Sequence, residues 1–293
     1  MNSWRSGVPF MVLATLLFVS LDSIGKYLSA TYPLAQIVWG RFFFHLVFVL
    51  IYLGPRVGRV LRTSSPGLQL IRSALMLFTN AMFFLAVRYM PLVDVTALLL
   101  AGPLFITVLS VPLLKESVGP RRWTGVLIGF VGALIVVQPG PGLFQSVALL
   151  GLIAALSNAL YNLTTRMLST RDPMFTTLLY TTLIGTLVSS AIVPFYWRMP
   201  DVWDWPLLAM LGLLGALGHL ALIKALSLSA AATIAPFGYL NLVWASLFGL
   251  LLFGEWPAFS TVAGAAVIVA SGLYVFHRER VIAKAATRSD EDA

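Results

Sequence analysis

Residues 86–137, AVRYMPLVDVTALLLAGPLFITVLSVPLLKESVGPRRWTGVLIGFVGALIVV, are answered by residues 225–276, ALSLSAAATIAPFGYLNLVWASLFGLLLFGEWPAFSTVAGAAVIVASGLYVF. Laid side by side without a gap, Glu116 falls on Glu255, Gly125 on Gly264, Ala86 on Ala225, Leu113 on Leu252, Leu134 on Leu273 and Val136 on Val275. Val8 to Leu28 falls in the same way on Ala148 to Leu168, which sets Ala14 on Ala154, Leu16 on Leu156, Asp22 on Asn162 and Lys26 on Arg166; Pro33 then meets Pro173. The chain reads as one hydrophobic module written twice, 1–140 and 141–280, followed by a polar tail, 281–293, whose composition reads as disordered.

Apolar residues make up 59% of the chain and charged residues 10%, with a mean hydropathy of +0.91. A soluble domain averages about 25% charged residues, so there is too little polar surface here to cover a globule. Membrane spans of roughly 20 residues, crossing about 30 Å of hydrocarbon, account for the excess. The absence of cysteine excludes disulfide and thiol chemistry. The net charge of +8 does not indicate nucleic acid, because most basic residues lie between apolar stretches, where they set topology. The first apolar stretch exceeds a signal-peptide core and lacks a small-residue cleavage pattern, so it reads as a retained span.

Ten apolar stretches are predicted as helices: 7–29, 33–53, 66–88, 91–113, 122–138, 145–168, 173–196, 205–228, 231–253 and 257–277. Helix is required because lipid cannot satisfy exposed backbone N–H and C=O groups. Short connections make neighbours antiparallel, and Gln138 to Leu143, rich in proline and glycine, reads as the turn between halves. With the N-terminus inside, the inner ends hold Arg5, Arg56, Arg59, Arg62, Arg72, Lys115, Arg121, Arg122, Arg166, Arg171, Arg278, Arg280, Lys284 and Arg288, and the outer ends only Arg88 and Arg198. That asymmetry places both termini in the cytoplasm of a multi-pass inner-membrane protein. An odd number of spans per half then inverts the second half, with Glu116 cytoplasmic and Glu255 external. Inverted halves of this kind enclose a site at their interface.

The combination of Ala97-Leu-Leu-Leu-Ala-Gly-Pro103, Lys115-Glu116 and Gly125 to Gly129 with Ala235-Pro236, Gly254-Glu255 and Gly264 resembles the drug/metabolite transporter superfamily in its EamA family, as does Trp39-Gly-Arg41-Phe42. The resemblance covers nearly the whole chain and implies ten helices and carriage of small organic solutes. Leu21-Asp22 with Lys26, Trp39-Gly-Arg41, and Gly218-His219-Leu220 through Lys224-Ala225 to Ala235-Pro236-Phe237-Gly-Tyr239 are similar to the subgroup with S-adenosylmethionine-type and riboflavin-type carriers. Neighbouring subgroups export amino acids, so the resemblance leaves substrate and direction open.

Charges inside a bilayer point to function, since each costs about 2.5–3.5 kcal/mol at mid-span. Arg41 lies about eight residues into its span, roughly 12 Å deep at 1.5 Å per residue, and it cannot lose its proton. It either captures an electron-rich substrate group or locks two helices by an ion pair. Asp22 and Lys26, four apart, share a helix face. They either pair locally, with Lys26 reaching the interface, or Asp22 pairs with Arg41 and serves as the carrier of a coupling proton. Asp94 begins a helix or takes part in coupling. His219 and Lys224 are candidates for substrate contact, with helix glue and interfacial snorkelling as the alternatives. His45 shares the face of Arg41. Three histidines without clustered carboxylates or cysteines make no metal site, and no cofactor motif is present.

Asn80, Asn158 and Asn241 each either fix a helix contact or bond substrate. Trp39, Tyr161, Tyr239 and Trp244 lie within spans and could wall a cavity for a planar or zwitterionic ligand by stacking and cation–π contact. Gly125, Gly129 and Gly264 read as helix-packing positions, and Pro103 and Pro236 as bends. The resulting expectation is a secondary transporter of a small organic metabolite (zwitterionic, anionic or aromatic) working by alternating access, monomeric or homodimeric, surrounded by lipid. An exporter of amino acids or drugs shares every one of these features. A membrane enzyme acting on lipid-linked substrates would need clustered carboxylates or histidines at one interface, and Asp201 with Asp204 lacks a histidine partner.

Overall fold

The computed structural model describes residues 4–116, 118–138 and 143–291, and every regular element among them is helical. Ten segments are long and apolar enough to cross a membrane: Gly7–Ser29, Leu34–Val60, Pro66–Val87, Leu92–Leu114, Pro120–Val137, Ser146–Leu168, Met174–Tyr196, Asp204–Leu228, Ala235–Phe253 and Phe259–Arg278, here spans 1 to 10. Proline punctuates the starts. It is the residue before spans 2, 4 and 7 (Pro33, Pro91, Pro173) and the first residue of spans 3 and 5 (Pro66, Pro120). A missing N–H costs nothing in a first turn, and the fixed φ suits it. Exposed Ile51, Leu70, Leu127, Val188 and Leu251 give the bundle an apolar exterior suited to lipid.

Spans 4 and 9 are both interrupted. Span 4 consists of Leu92–Leu99 and Gly102–Leu114, with Pro103 just inside the second piece. Span 9 opens with a 3₁₀ stretch, Ala235–Tyr239, containing Pro236, and continues as Leu240–Phe253. Irregular backbone at membrane depth is tolerated where protein or a cavity surrounds it, and Ala97, Leu98 and Ala101 are fully buried.

The two interrupted spans end alike. Lys115 and Gly254 adopt left-handed φ values of 56° and 67°, and the next N–H, of Glu116 or Glu255, returns to Ser110 O at 3.3 Å or Gly249 O at 3.0 Å. This is a Schellman-type stop, which satisfies carbonyls that the helix leaves open. Repetition in sequence thus becomes repetition in backbone, with a glutamate presented just beyond each stop.

Packing repeats as well. Span 1 packs on span 8 and span 6 on span 3; span 2 packs on span 8 and span 7 on span 3; span 1 packs on span 9 and span 6 on span 4. Exchanging the two sets of five span numbers leaves this pattern unchanged, and spans 5 and 10, like 2 and 7, pack on each other.

Two sequence expectations meet the structure differently. Residues 139–142, the core of the expected turn between halves, lie outside the described residues. The last helix runs on as Phe259–Glu291, so helical backbone extends into the tail that composition reads as disordered. Its segment Val281-Ile-Ala-Lys-Ala-Ala contains alanine and lysine, which favour helix.

Spans 5 and 10 approach closely at Gly264, and span 4 approaches span 5 at Gly129. A Cβ at Gly264 would lie 2.6 Å from Gly132 O, and one at Gly129 would lie 2.4 Å from Leu104 Cδ1. The obstacle at Gly264 is backbone and cannot rotate away. Gly264→Ala is expected to cost about 1–3 kcal/mol, the usual range for overpacking, and to lower the melting temperature of the purified protein; an unchanged melt would show that these two helices are free to separate.

Candidate functional site

Arg41 sits on span 2 with its Nη1 3.5 Å from Asp22 Oδ1 of span 1, and Phe84 of span 3 lies under the guanidinium at 5.6 Å. Asp22 therefore pairs across helices. Lys26 does not pair with Asp22. It reaches Glu255 Oε1 at 2.5 Å and Met90 O at 2.8 Å. His45, one turn further along span 2, faces His219 of span 8 with ring centres 5.3 Å apart. His219 Nδ1 bonds Gly215 O at 2.8 Å, while His45 Nε2 is buried with no hydrogen-bond partner.

Arg72 is the residue that sequence reasoning misplaced. It was counted among the basic residues of the inner face, yet it is buried and wrapped by neutral groups. Its Nε donates to Thr165 Oγ1 at 2.7 Å, Nη1 to Thr177 O at 3.0 Å and to Thr181 Oγ1, and Nη2 to Tyr161 Oη at 2.6 Å. The Tyr161 ring lies 4.4 Å from the guanidinium carbon. The available signal was the hydroxyl-bearing face of span 7, where Thr177 and Thr181 are four apart opposite a cation placed six residues into span 3.

Tyr161 joins span 6 to Arg72 of span 3, and His219 of span 8 faces His45, one turn from Arg41. Spans 1, 2, 3, 6, 7 and 8 thus enclose one polar column. Among the described residues it holds two guanidiniums and one carboxylate, Asp22, because no carboxylate lies within ion-pair distance of Arg72. Hydrogen bonds take up four of the five N–H groups of Arg72 without neutralising its charge. A buried uncompensated charge costs several kcal/mol.

Other candidates fall elsewhere. Trp39 stacks on Phe43 at 4.7 Å, meets Trp197 at 5.4 Å and donates to Ser190 Oγ at 3.1 Å, so it belongs to an aromatic cluster and does not stack on Arg41. Two positions along a helix turn a side chain to the opposite face, which separates Trp39 from Arg41. Trp244 donates to Thr15 Oγ1 at 3.2 Å on span 1, whereas Tyr239 directs its hydroxyl at Gly272 of span 10. Lys224 is exposed. Asn80 bonds Met76 O of its own helix at 2.7 Å, Asn158 lies beside Gly102 at the break in span 4, and Asn241 Oδ1 is buried without a partner. Asp94 accepts from Thr261 Oγ1 at 2.7 Å, close to the Lys26–Glu255 pair. Among the described residues no three histidines or carboxylates cluster as metal ligands do.

Two contacts tie the face on which the chain begins. Arg166 Nη2 lies 2.7 Å from Glu116 Oε1. Asp172, in the turn between spans 6 and 7, accepts from Ser64 N at 2.9 Å, Ser64 Oγ at 2.9 Å, Gln69 Nε2 at 2.8 Å and the Thr63 hydroxyl. Burial works against the Asp172 charge, but these donors outweigh it and hold the carboxyl down at about 2.

Comparison with known proteins agrees with this architecture. The model of the EamA-like transporter family matches residues 5–138 and again residues 145–276. The S-adenosylmethionine uptake transporter of Rickettsia felis is 27% identical over 291 residues, covering 99% of this chain and 98% of that protein. The riboflavin transporter of Vibrio cholerae is 32% identical, covering 92% of each chain. The pseudopaline exporter of Pseudomonas aeruginosa is 30% identical, covering 90% of this chain and 94% of that protein. A crystal structure with 18% identity shares the fold at a TM-score of 0.64, covering 95% of this chain and 99% of the other. The chain belongs to the EamA-like transporter family and is a multi-pass inner-membrane transporter of small metabolites.

A carboxyl lowered in the folded state stabilises the fold above its unfolded pKa of about 3.9, and that contribution disappears as pH falls through the folded value. Asp172→Asn is therefore expected to lower the melting temperature at pH 7. Its deficit against the parent protein should close between about pH 4 and about pH 2, the value held by Asp172. A deficit independent of pH in thermal melts would show that the Asp172 charge is not what the donors recognise.

Proposed function

We propose that this member of the EamA family carries a metabolite bearing at least one acidic group, taken between Arg41 and Arg72 and released by alternating access. The observation that carries the reading is the charge balance of the column, two guanidiniums facing one carboxylate. An arginine presents a rigid fork of donors that suits carboxylate or phosphate, and a substrate anion supplies the counter-charge that the column lacks. Tyr161 and Phe84 are each packed on one guanidinium, and rings beside the charges suit a planar or cationic remainder of the molecule. S-Adenosylmethionine, the cargo named for the Rickettsia felis relative, combines a carboxylate with a cation and a planar base.

The bundle, in which the halves 1–140 and 141–280 interleave, opens to one face and then the other about this column. The face holding Arg166 and Glu116 is cytoplasmic, since even without the buried Arg72 thirteen basic residues lie toward it by sequence, against Arg88 and Arg198 at the other. Relatives named for uptake and for export share the architecture, and the geometry serves movement in either direction. Asp22 competes with the substrate anion for Arg41. Protonation of Asp22 releases the guanidinium, which is a route for coupling transport to a proton gradient.

Counterflow into proteoliposomes, with labelled S-adenosylmethionine, riboflavin and aromatic amino acids run in parallel, tests the assignment. Removing one side of a buried charged contact costs about 2 kcal/mol or more, so Arg41→Ala is expected to weaken uptake of the accepted label by about 30-fold or more. Undiminished counterflow from normally inserted Arg41→Ala protein would overturn the role given to Arg41. Asp22→Asn is expected to keep counterflow while losing accumulation driven by a proton gradient; retention of that accumulation would remove Asp22 as the coupling group.

A further inference from the structure

The sequence places Lys26 opposite Arg166 and Glu116 opposite Glu255 in the two halves. The structure pairs them crosswise. Lys26 of the first half binds Glu255 of the second at 2.5 Å, and Arg166 of the second half binds Glu116 of the first at 2.7 Å. Each cation ends the first span of its half, and each glutamate follows the left-handed stop of an interrupted span. Lys26 is reached after one crossing of the membrane and Arg166 after six, so the two pairs lie at opposite faces.

We infer that these two pairs are the latches of the transport cycle, one sealing each face, and that each opening breaks one of them while the other holds. The inference rests on the alternating-access reading above and adds the residues that gate it. Both pairs are made here, which is the arrangement of an occluded carrier. The two pairs lie at opposite ends of the bundle, so a motion that opens one face stretches the pair there and leaves the other closed.

The latches differ in strength. The external pair is sheltered, with side chains 11% and 22% exposed, and the cytoplasmic pair is wet, at 61% and 31%. Glu255 also accepts from Leu92 N at 3.0 Å, and Lys26 donates to Met90 O and stands 5.2 Å from the centre of the Phe253 ring. These added bonds tie the external latch to the turn between spans 3 and 4. An exposed ion pair contributes little, whereas breaking a sheltered one leaves a charge uncompensated. The cytoplasmic face is therefore the one that opens more readily.

The chain has no cysteine, so spin labels attach only where cysteines are introduced. Tyr89→Cys with Trp256→Cys reports on the external face, and Arg121→Cys with Thr170→Cys on the cytoplasmic face; all four native residues are exposed. Electron–electron distance measurements on protein in lipid nanodiscs are then made in three further backgrounds. Glu255→Gln is expected to shift the external distances to longer values while the cytoplasmic distances stay short. Glu116→Gln is expected to shift the cytoplasmic distances to longer values by a smaller fraction, as befits the weaker pair, while the external distances stay short. Lys26→Glu combined with Glu255→Lys restores an ion pair and is expected to return the external distances to those of the parent. Unchanged distances in both single variants, or a shift of both faces in the same sense, would overturn the latches, as would a charge swap that folds but leaves the external face open. The readout needs no substrate. Reciprocal shifts without anion transport would remove the substrate reading alone, and intact counterflow without shifts would remove the latches alone.

Discussion

Inside a bilayer no water is available to replace a missing hydrogen bond, and the rest of this structure follows from that constraint. Backbone groups are satisfied within helices, and many of the threonines and serines of the spans return their hydroxyls to a carbonyl three or four residues earlier, as Thr15, Ser23, Thr96, Thr182 and Ser189 do. Arg72 obeys the same rule with neutral partners from spans 6 and 7. What hydrogen bonding cannot supply is a counter-charge. The charge of Arg72 is thus left unbalanced in the column, beside the buried and unpartnered Nε2 of His45.

Duplication explains the frame but not the centre. The helix stops at Lys115 and Gly254, the crosswise ion pairs and the exchange pattern of helix contacts all repeat. At the centre the halves diverge. Asp22 corresponds to Asn162, and by the spacing that sets Pro33 on Pro173, Arg41 corresponds to Thr181. The residue matching Arg41 has become a partner of Arg72. Lys115 also shows the tolerance of such a frame: a left-handed turn that glycine takes freely at position 254 is held by a lysine at 115, which costs roughly 1–2 kcal/mol for an L-residue.

Span number, span limits and the two proline bends were legible because apolar length and proline placement act locally. The glutamates after spans 4 and 9 stood out because their neighbours repeat. Partner choice was half legible: Asp22 with Arg41 was one of the two pairings the sequence left open, and Lys26 with Glu255 was not among them. Asp22 and Lys26 share a helix face at the spacing of a local pair, yet each turns to another helix, Arg41 for one and Glu255 for the other. Nothing in one strand of sequence records which helix lies opposite. The same blindness put Arg72 with the topology-setting residues, since depth along a helix is readable but the polarity of its neighbours is not. Trp39 illustrates the converse: adjacency to Arg41 in sequence suggested a shared site, while the helical period sends the two to different surroundings.

A carrier has to close at both faces, and the cargo proposed here, an acidic group joined to a planar or cationic remainder, has no twofold symmetry. Selection on the gates favours keeping the duplicated charges, since a pair lost at one face would leave that face unsealed. Selection on the centre favours breaking the duplication, since two equivalent half-sites would suit only a symmetric ligand. The division seen here matches those two demands: the ion pairs at the faces follow the repeat, and Arg41, Asp22 and Arg72 in the column depart from it. The same logic accounts for the unequal shelter of the latches. Identical chemistry placed at two faces gives the two ends of the cycle equal standing, and the added bonds around Lys26 and Glu255 remove that equality. Direction and resting state are then adjustable through neighbours of the latches, without altering either the latches or the column between them.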